Sequence, residues 1–180
     1  MLENSHCSQL PGSEKLVPLS ALMSSTHLTY SANKCIDGAT EGLQHLCNSK
    51  KEAHPWLALD YGKQAKVSVE KVVLFNRKDG SWARTKNVQI RLSNELPSTG
   101  KKVFSGGEVL GSFKGPATRG QKVEIHSGPG WEKKTGRYLV IQMNFGKAHN
   151  LLNLKEAYAV GISHVAPSKG RLTCQMPSFF

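Results

Sequence analysis

Short runs of roughly four to eight residues, rich in β-branched and aromatic side chains, recur along this chain between clusters of Gly, Pro, Asn and Ser. No stretch carries the period of a long amphipathic helix. Residues 56–61 form one such run, closed by Gly62, and residues 67–75 form another with room for a bend near Glu70 and Lys71. Val88, Ile90 and Leu92 alternate with polar Gln89 and Arg91. Because successive strand side chains point to opposite faces, that alternation marks a half-buried strand. Residues 109–113, 123–125, 138–143 and 151–162 complete the set. The pattern predicts an all-β chain, an antiparallel β-sandwich or jelly roll.

A length of 180 residues suits one domain with a substantial core. The expected boundaries are an N-terminal tail over 1–15, the sandwich over 16–163 and a C-terminal tail over 164–180, the tails lacking periodicity. No apolar stretch has membrane-spanning length and no signal-peptide pattern opens the chain, so it is expected to be a mature or expressed form. The net charge is +11, but its lysines come as isolated pairs such as Lys50-Lys51, Lys101-Lys102 and Lys133-Lys134. Without a basic block interleaved with aromatics, nucleic acid is not an expected partner. The charge instead favours anionic cell surfaces or glycans.

The cysteines are Cys7, Cys35, Cys47 and Cys174, and their spacing fits no zinc site. Two lie near opposite ends of the chain and two bracket a short loop. This placement predicts the disulfides Cys7–Cys174 and Cys35–Cys47, and with them an oxidising, secreted or extracellular setting.

The run over 67–75 leads into Arg77-x-Asp79, with Arg84 after four more residues. Two guanidiniums flanking a carboxylate at a strand end make a fan of donors suited to vicinal hydroxyls or a ring oxygen, because an Arg donor fork is planar and permanently charged. An isolated R-x-D is more often a surface ion-pair turn, and Arg77 and Arg84 are both expected on an exposed one. Asp37 beside Gly38, and Glu156 far along the chain, are oxygen donors of the type a hard cation takes, although a turn role is the simpler account of Asp37. Trp56 and Trp131 read as core or rim anchors, and Tyr138 and Tyr158 as core residues. No G-x-S-x-G or H-E-x-x-H motif occurs among the histidines, so no enzyme is predicted.

The segments SSTHLTYSANKCIDG, HPWLALDYGK, KVVLFNRKDGSWAR, VLGSFKG, GRYLVIQM and LNLKEAYAVGI, taken together and in order, resemble an F-type lectin (fucolectin) domain of the discoidin-like galactose-binding superfamily. The resemblance runs over about residues 16 to 162, and R-x-D-x₄-R is its most specific element. It implies that Arg77 and Arg84 hydrogen-bond a fucose ring oxygen and hydroxyls while Asp79 orients them. It also implies a structural Ca²⁺ held by carbonyls near Lys34 and Lys155, the carboxylates of Asp37 and Glu156, and an oxygen near Ala39, Thr40 or Leu46.

Two departures from the family pattern bear on the sugar site, and a further family disulfide is replaced by Glu108 and Ser127 while the family cysteine before the calcium Glu is Lys155 here. The adjacent cysteines usual before the second Arg are replaced by Gly80-Ser81-Trp82-Ala83, which makes Trp82 the candidate apolar platform for a sugar face. The family histidine would fall at Lys50 or near Asn48-Ser49, so His45 and His54 are the nearby histidines that could complete the site. The reading is a calcium-stabilised lectin for fucose or a related glycan. Its partners would be fucosylated or anionic cell-surface glycans, with a homo-oligomer as one allowed state. The alternative is a discoidin-type adhesion domain that binds anionic glycans, phospholipid or a protein.

Overall fold

The computed structural model describes residues 12–145 and 151–165. Its strands are β1 (Glu14–Leu16), β2 (Ser20–Met23), β3 (Cys47–Asn48), β4 (Trp56–Asp60), β5 (Ala65–Phe75), β6 (Val88–Ser93), β7 (Glu108–Phe113), β8 (Lys122–His126), β9 (Tyr138–Met143), β10 (Asn153–Leu154) and β11 (Glu156–Val165). The helical pieces among the described residues are short 3₁₀ turns, at Ala32–Cys35, Leu43–His45, Trp82–Arg84 and Trp131–Lys133. No helix there is long and apolar enough to cross a membrane.

A four-stranded sheet in the order β1-β11-β5-β8 faces a five-stranded sheet in the order β2-β4-β9-β6-β7, and β10-β3 form a small ribbon. Every pairing is antiparallel. The core lies between the two sheets. Val69, Val72 and Leu74 of β5 and Val123 of β8 pack with Leu57 and Leu59 of β4, Ile90 and Leu92 of β6, and Leu139 and Ile141 of β9. Burying each such side chain stabilises the fold by roughly 1.5–3 kcal/mol.

Strand β9 is buried along its whole length because it is covered on both sides. Leu139, Ile141 and Met143 face the main core, while Tyr138 and Val140 join Trp56 and Ala58 in a second cluster, closed by Leu96 and Phe104. Trp56 and Tyr138 are therefore interior residues, as expected. Tyr158 is not. It is only half-buried, stacks obliquely on Phe75 at 6.1 Å and carries the Lys15 ammonium 4.6 Å above its ring.

The bend foreseen near Glu70 is a β-bulge. Val160 pairs with Lys71 and Gly161 with Val69, so Glu70 is the extra residue, and its carbonyl accepts the Ser127 amide at 2.8 Å. The run over 151–162 splits into two strands at Lys155, where the chain leaves β3 and begins to pair with β5. Strand β1 starts at Glu14 and β11 reaches Val165, two residues beyond the expected sandwich boundary at each end. The Cys35–Cys47 disulfide is present. It closes the loop that carries Asp37, restricting that segment in the unfolded chain as well as the folded one. The expected Cys7–Cys174 pair lies outside the described residues.

Candidate carbohydrate site

Strand β5 ends at Phe75, and the next residue organises the loop that follows. Asn76 is buried, and its side-chain amide donates to the carbonyls of Trp82 at 3.0 Å and Thr118 at 2.7 Å. Its side-chain oxygen accepts the Arg77 amide at 3.0 Å and the Thr85 hydroxyl at 2.8 Å. One amide group thus pins both ends of the 77–84 loop and ties it to the neighbouring 115–121 segment. The Arg77 carbonyl accepts the Gly120 amide at 3.0 Å, adding a second tie.

Arg77 lies buried in this frame, 9% exposed, and not on the exposed turn expected for it. Its Nε and Nη2 donate in a fork to the two carboxylate oxygens of Asp79. Asp79 also accepts the Ser81 amide at 3.2 Å. The hydrogen bonds from Arg77 are the main reason the Asp79 carboxyl sits below the usual carboxylate range. A fork of this kind is not by itself a binding site. Arg137 makes the same bidentate contact with Asp60, at 2.8 and 2.7 Å, and there it closes the end of β4 where Gly62 turns at φ +100°. The loop after β5 differs by its second arginine. Arg84 is exposed at the end of the Trp82–Arg84 turn and pairs with no carboxylate among the described residues. Trp82 is half-buried beside it.

Next to Asp79 is a cleft of about 250 Å³ lined by Glu41, Gly42, Leu43, Lys78, Asp79 and Lys155. At its rim Lys78 pairs with Glu41. Lys155, 3% exposed, extends from the junction of β10 and β11 and donates from Nζ to the Gly42 carbonyl. Burial pushes the Lys155 ammonium below the ordinary lysine range.

Glu156 follows Lys155 in sequence and lines a different cleft, of about 220 Å³, together with Asp37, Lys15 and Tyr158. Glu156 Oε2 accepts the Gly38 amide at 3.2 Å, which brings the carboxylate onto the Asp37 turn. Asp37 Oδ1 accepts the Ala39 amide at 2.9 Å, and Oδ2 lies 2.8 Å from His45 Nδ1. Burial pushes the Glu156 carboxyl up to about 7, held back by the Gly38 amide and the Lys15 charge and raised further by the charge of Asp37. Glu156 forms no salt bridge with a described residue. A buried carboxylate that no described residue meets in a salt bridge, with a second carboxylate lining the same cleft, suits a hard cation. No group of three His, Cys, Asp or Glu side chains is placed to hold a metal among the described residues, so neutral oxygens would have to complete such a shell.

The remaining sequence candidates fall in separate places. Thr40 is half-buried in the Asp37 loop, Leu46 is buried behind it, and the Lys34 ammonium lies 5.5 Å over the Tyr30 ring. His45 belongs to the Asp37 turn, while His54 Nδ1 meets Asn144 Oδ1 at 3.2 Å and the His54 amide donates to Gly100. Two residues went unnamed by sequence reasoning in the roles they occupy: Asn76 as the loop clamp and Lys155 as a cleft-lining side chain.

No protein-family model matches the sequence, and neither does any curated protein. Among solved structures the fold is similar to a fucolectin from Morone saxatilis (striped bass) serum, with a TM-score of 0.69 and 22% identity over 84% of this chain. The chain spans 50% of that protein's length. It is also similar to the lectin domain of lectinolysin complexed with Lewis B antigen, with a TM-score of 0.62, 23% identity, and coverage of 81% of this chain and 95% of that one. A Streptococcus pneumoniae fucose binding module has a TM-score of 0.62 at 17% identity, covering 84% of this chain and 97% of that one. The chain therefore has the discoidin-like β-sandwich fold of F-type lectin domains, and the resemblance seen in the sequence holds at the level of the fold. These neighbours are lectins and carbohydrate-binding modules and not catalytic domains.

Proposed function

We propose that this domain is a lectin that binds fucose or a related glycan non-covalently, without catalysing a reaction. The observation that carries this reading is the loop after β5, which carries an exposed Arg84, paired with no described carboxylate, together with an Arg77 locked in orientation by Asp79. Asp79 occupies one edge of the Arg77 fork, so the donors that remain have a fixed direction, and fixed donors lose little freedom when they meet a hydroxyl. Trp82, half-buried on the same loop, supplies an apolar face. Similarity to modules described as binding fucose and Lewis B antigen supports the same class of ligand.

Ca²⁺ belongs to this reading as a structural ion. Asp37 and Glu156 would hold it through their carboxylates, with carbonyls of Lys34 and Lys155 and an oxygen from Thr40 or Leu46. The ion would supply charge balance to the loop on the far side of Lys155. The disulfide supports a secreted or extracellular location, with glycans as partners and homo-oligomerisation compatible with the role. The +11 charge favours a second reading, an adhesion domain engaging anionic surfaces. Salt separates the two, because diffuse charge attraction is screened and hydrogen bonding to a neutral sugar is not.

A glycan array probed with and without chelator tests the proposal. Retention of fucosylated glycans at moderate salt is the expected outcome, and binding confined to polyanions would replace it with the adhesion reading. Trp82→Ala should weaken a fucosylated ligand by about 1 kcal/mol, roughly fivefold, as measured by calorimetric titration. An unchanged affinity would show that Trp82 only anchors the loop.

A further inference from the structure

Lys155 is costly where it stands. An ammonium group taken out of water needs a counter-charge or a full set of acceptors, and among the described residues Lys155 has one carbonyl, that of Gly42, for three N–H donors. It forms no salt bridge with any described residue. The carboxylates lining the same cleft are already committed, Asp79 to Arg77 and Glu41 to Lys78. With Asp79 taken by Arg77 and Glu41 by Lys78, Lys155 is the cleft charge left without a salt-bridge partner among the described residues; it is 3% exposed and borders the loop that carries Arg77 and Arg84. Tying the Gly42 carbonyl in place requires only a neutral donor, which would avoid burying a charge.

We propose that Lys155 is a specificity-determining residue of this cleft, receiving an anionic substituent, a sulfate ester or a carboxylate, of a sugar held at Arg77 and Arg84. The inference rests on the lectin reading and narrows it to acidic glycans. The cleft volume of about 250 Å³ accommodates a substituent and part of a ring, not a whole oligosaccharide. The preference comes from a buried donor, so it survives salt better than attraction by the surface lysines.

The test is calorimetric titration of methyl fucoside, its monosulfated forms and methyl galacturonide, at about 0.15 M salt, against wild type and Lys155→Met. The sulfate and carboxylate arms identify which anion is taken. At least one anionic probe should bind about tenfold more tightly than neutral methyl fucoside to wild type, and that ratio should collapse to within about twofold in Lys155→Met. The side-chain ammonium NMR signal of Lys155 in wild type should also shift with the anionic probe and not with the neutral one, a readout that does not depend on the variant folding. Wild type that binds methyl fucoside with no anionic preference, or a preference that persists in Lys155→Met, would overturn the proposal and leave Lys155 as a tie to the Gly42 loop. Wild type that binds none of the probes would overturn the lectin reading together with it.

Discussion

Arg77→Ala is expected to weaken binding of a fucose-type sugar by tenfold or more and to loosen the loop that holds Arg84. A hydrogen bond from a charged donor contributes roughly 1.5–3 kcal/mol, which sets the loss of affinity. The change also removes the fork that holds Asp79, leaving that carboxylate with the Ser81 amide alone. The pair has a pH signature. Asp79 is held below its ordinary range chiefly by the hydrogen bonds from Arg77, so its contribution to stability is present above the ordinary carboxylate pKa and fades as pH falls through the lowered one. Thermal melting between neutral and acid pH should therefore show a shallower acid decline in Arg77→Ala than in wild type. Arg77→Lys should not restore affinity, because a point ammonium cannot hold both Asp79 oxygens and still present donors outward. An Arg77→Ala protein that binds sugar as well as wild type would place the site elsewhere.

Removal of Ca²⁺ is expected to lower the melting temperature, and to do so more strongly at high pH. An ion at about one hundred times its dissociation constant adds about 2.7 kcal/mol, on the order of 5–10 °C for a chain of this size. Without the ion, the Glu156 carboxyl is raised to about 7 from an ordinary 4.5. A raised carboxylate contributes stability that is fully present below the ordinary pKa and is lost as pH climbs through the raised one. The chelated protein should therefore lose stability between pH about 4.5 and about 7, while the calcium-loaded protein should not. Glu156→Gln should flatten the chelated profile and shrink the calcium-dependent shift. Unchanged melting in chelator, together with no metal by elemental analysis, would remove calcium from the account.

The strands were legible in the sequence because their side chains satisfy the pleat directly. Val88, Ile90 and Leu92 alternate with polar residues and face the core, and residues 138–143 read as a strand from their β-branched and aromatic content. The bend at Glu70 showed because two charged residues interrupt an apolar run. Strands β1, β2 and β3 left no comparable trace. They are two to four residues long and exist by pairing with β11, β4 and β10, partners distant in sequence.

The candidate site was legible where a residue was chosen for its own chemistry, as Arg77, Asp79 and Arg84 were. It was not legible where a residue acts through position. Asn76 after an apolar run reads as any turn former, and only the folded chain shows its amide meeting Trp82, Thr118, Arg77 and Thr85. Lys155 beside Glu156 reads as a charged pair on one surface. At the junction of β10 and β11 the two side chains line different clefts. His45 and His54 were considered because they flank the expected histidine position. In the structure one meets Asp37 and the other Asn144.

Calorimetric titration of fucose into wild type and Arg84→Ala tests the central claim most directly, because Arg84 is exposed and pairs with no described carboxylate, so its loss should leave the fold intact. The account predicts saturable binding to wild type that persists at moderate salt, and a loss of roughly tenfold or more in Arg84→Ala. Equal binding by the two proteins would contradict it. So would a wild type that ignores neutral sugars and holds heparin or anionic vesicles only at low salt.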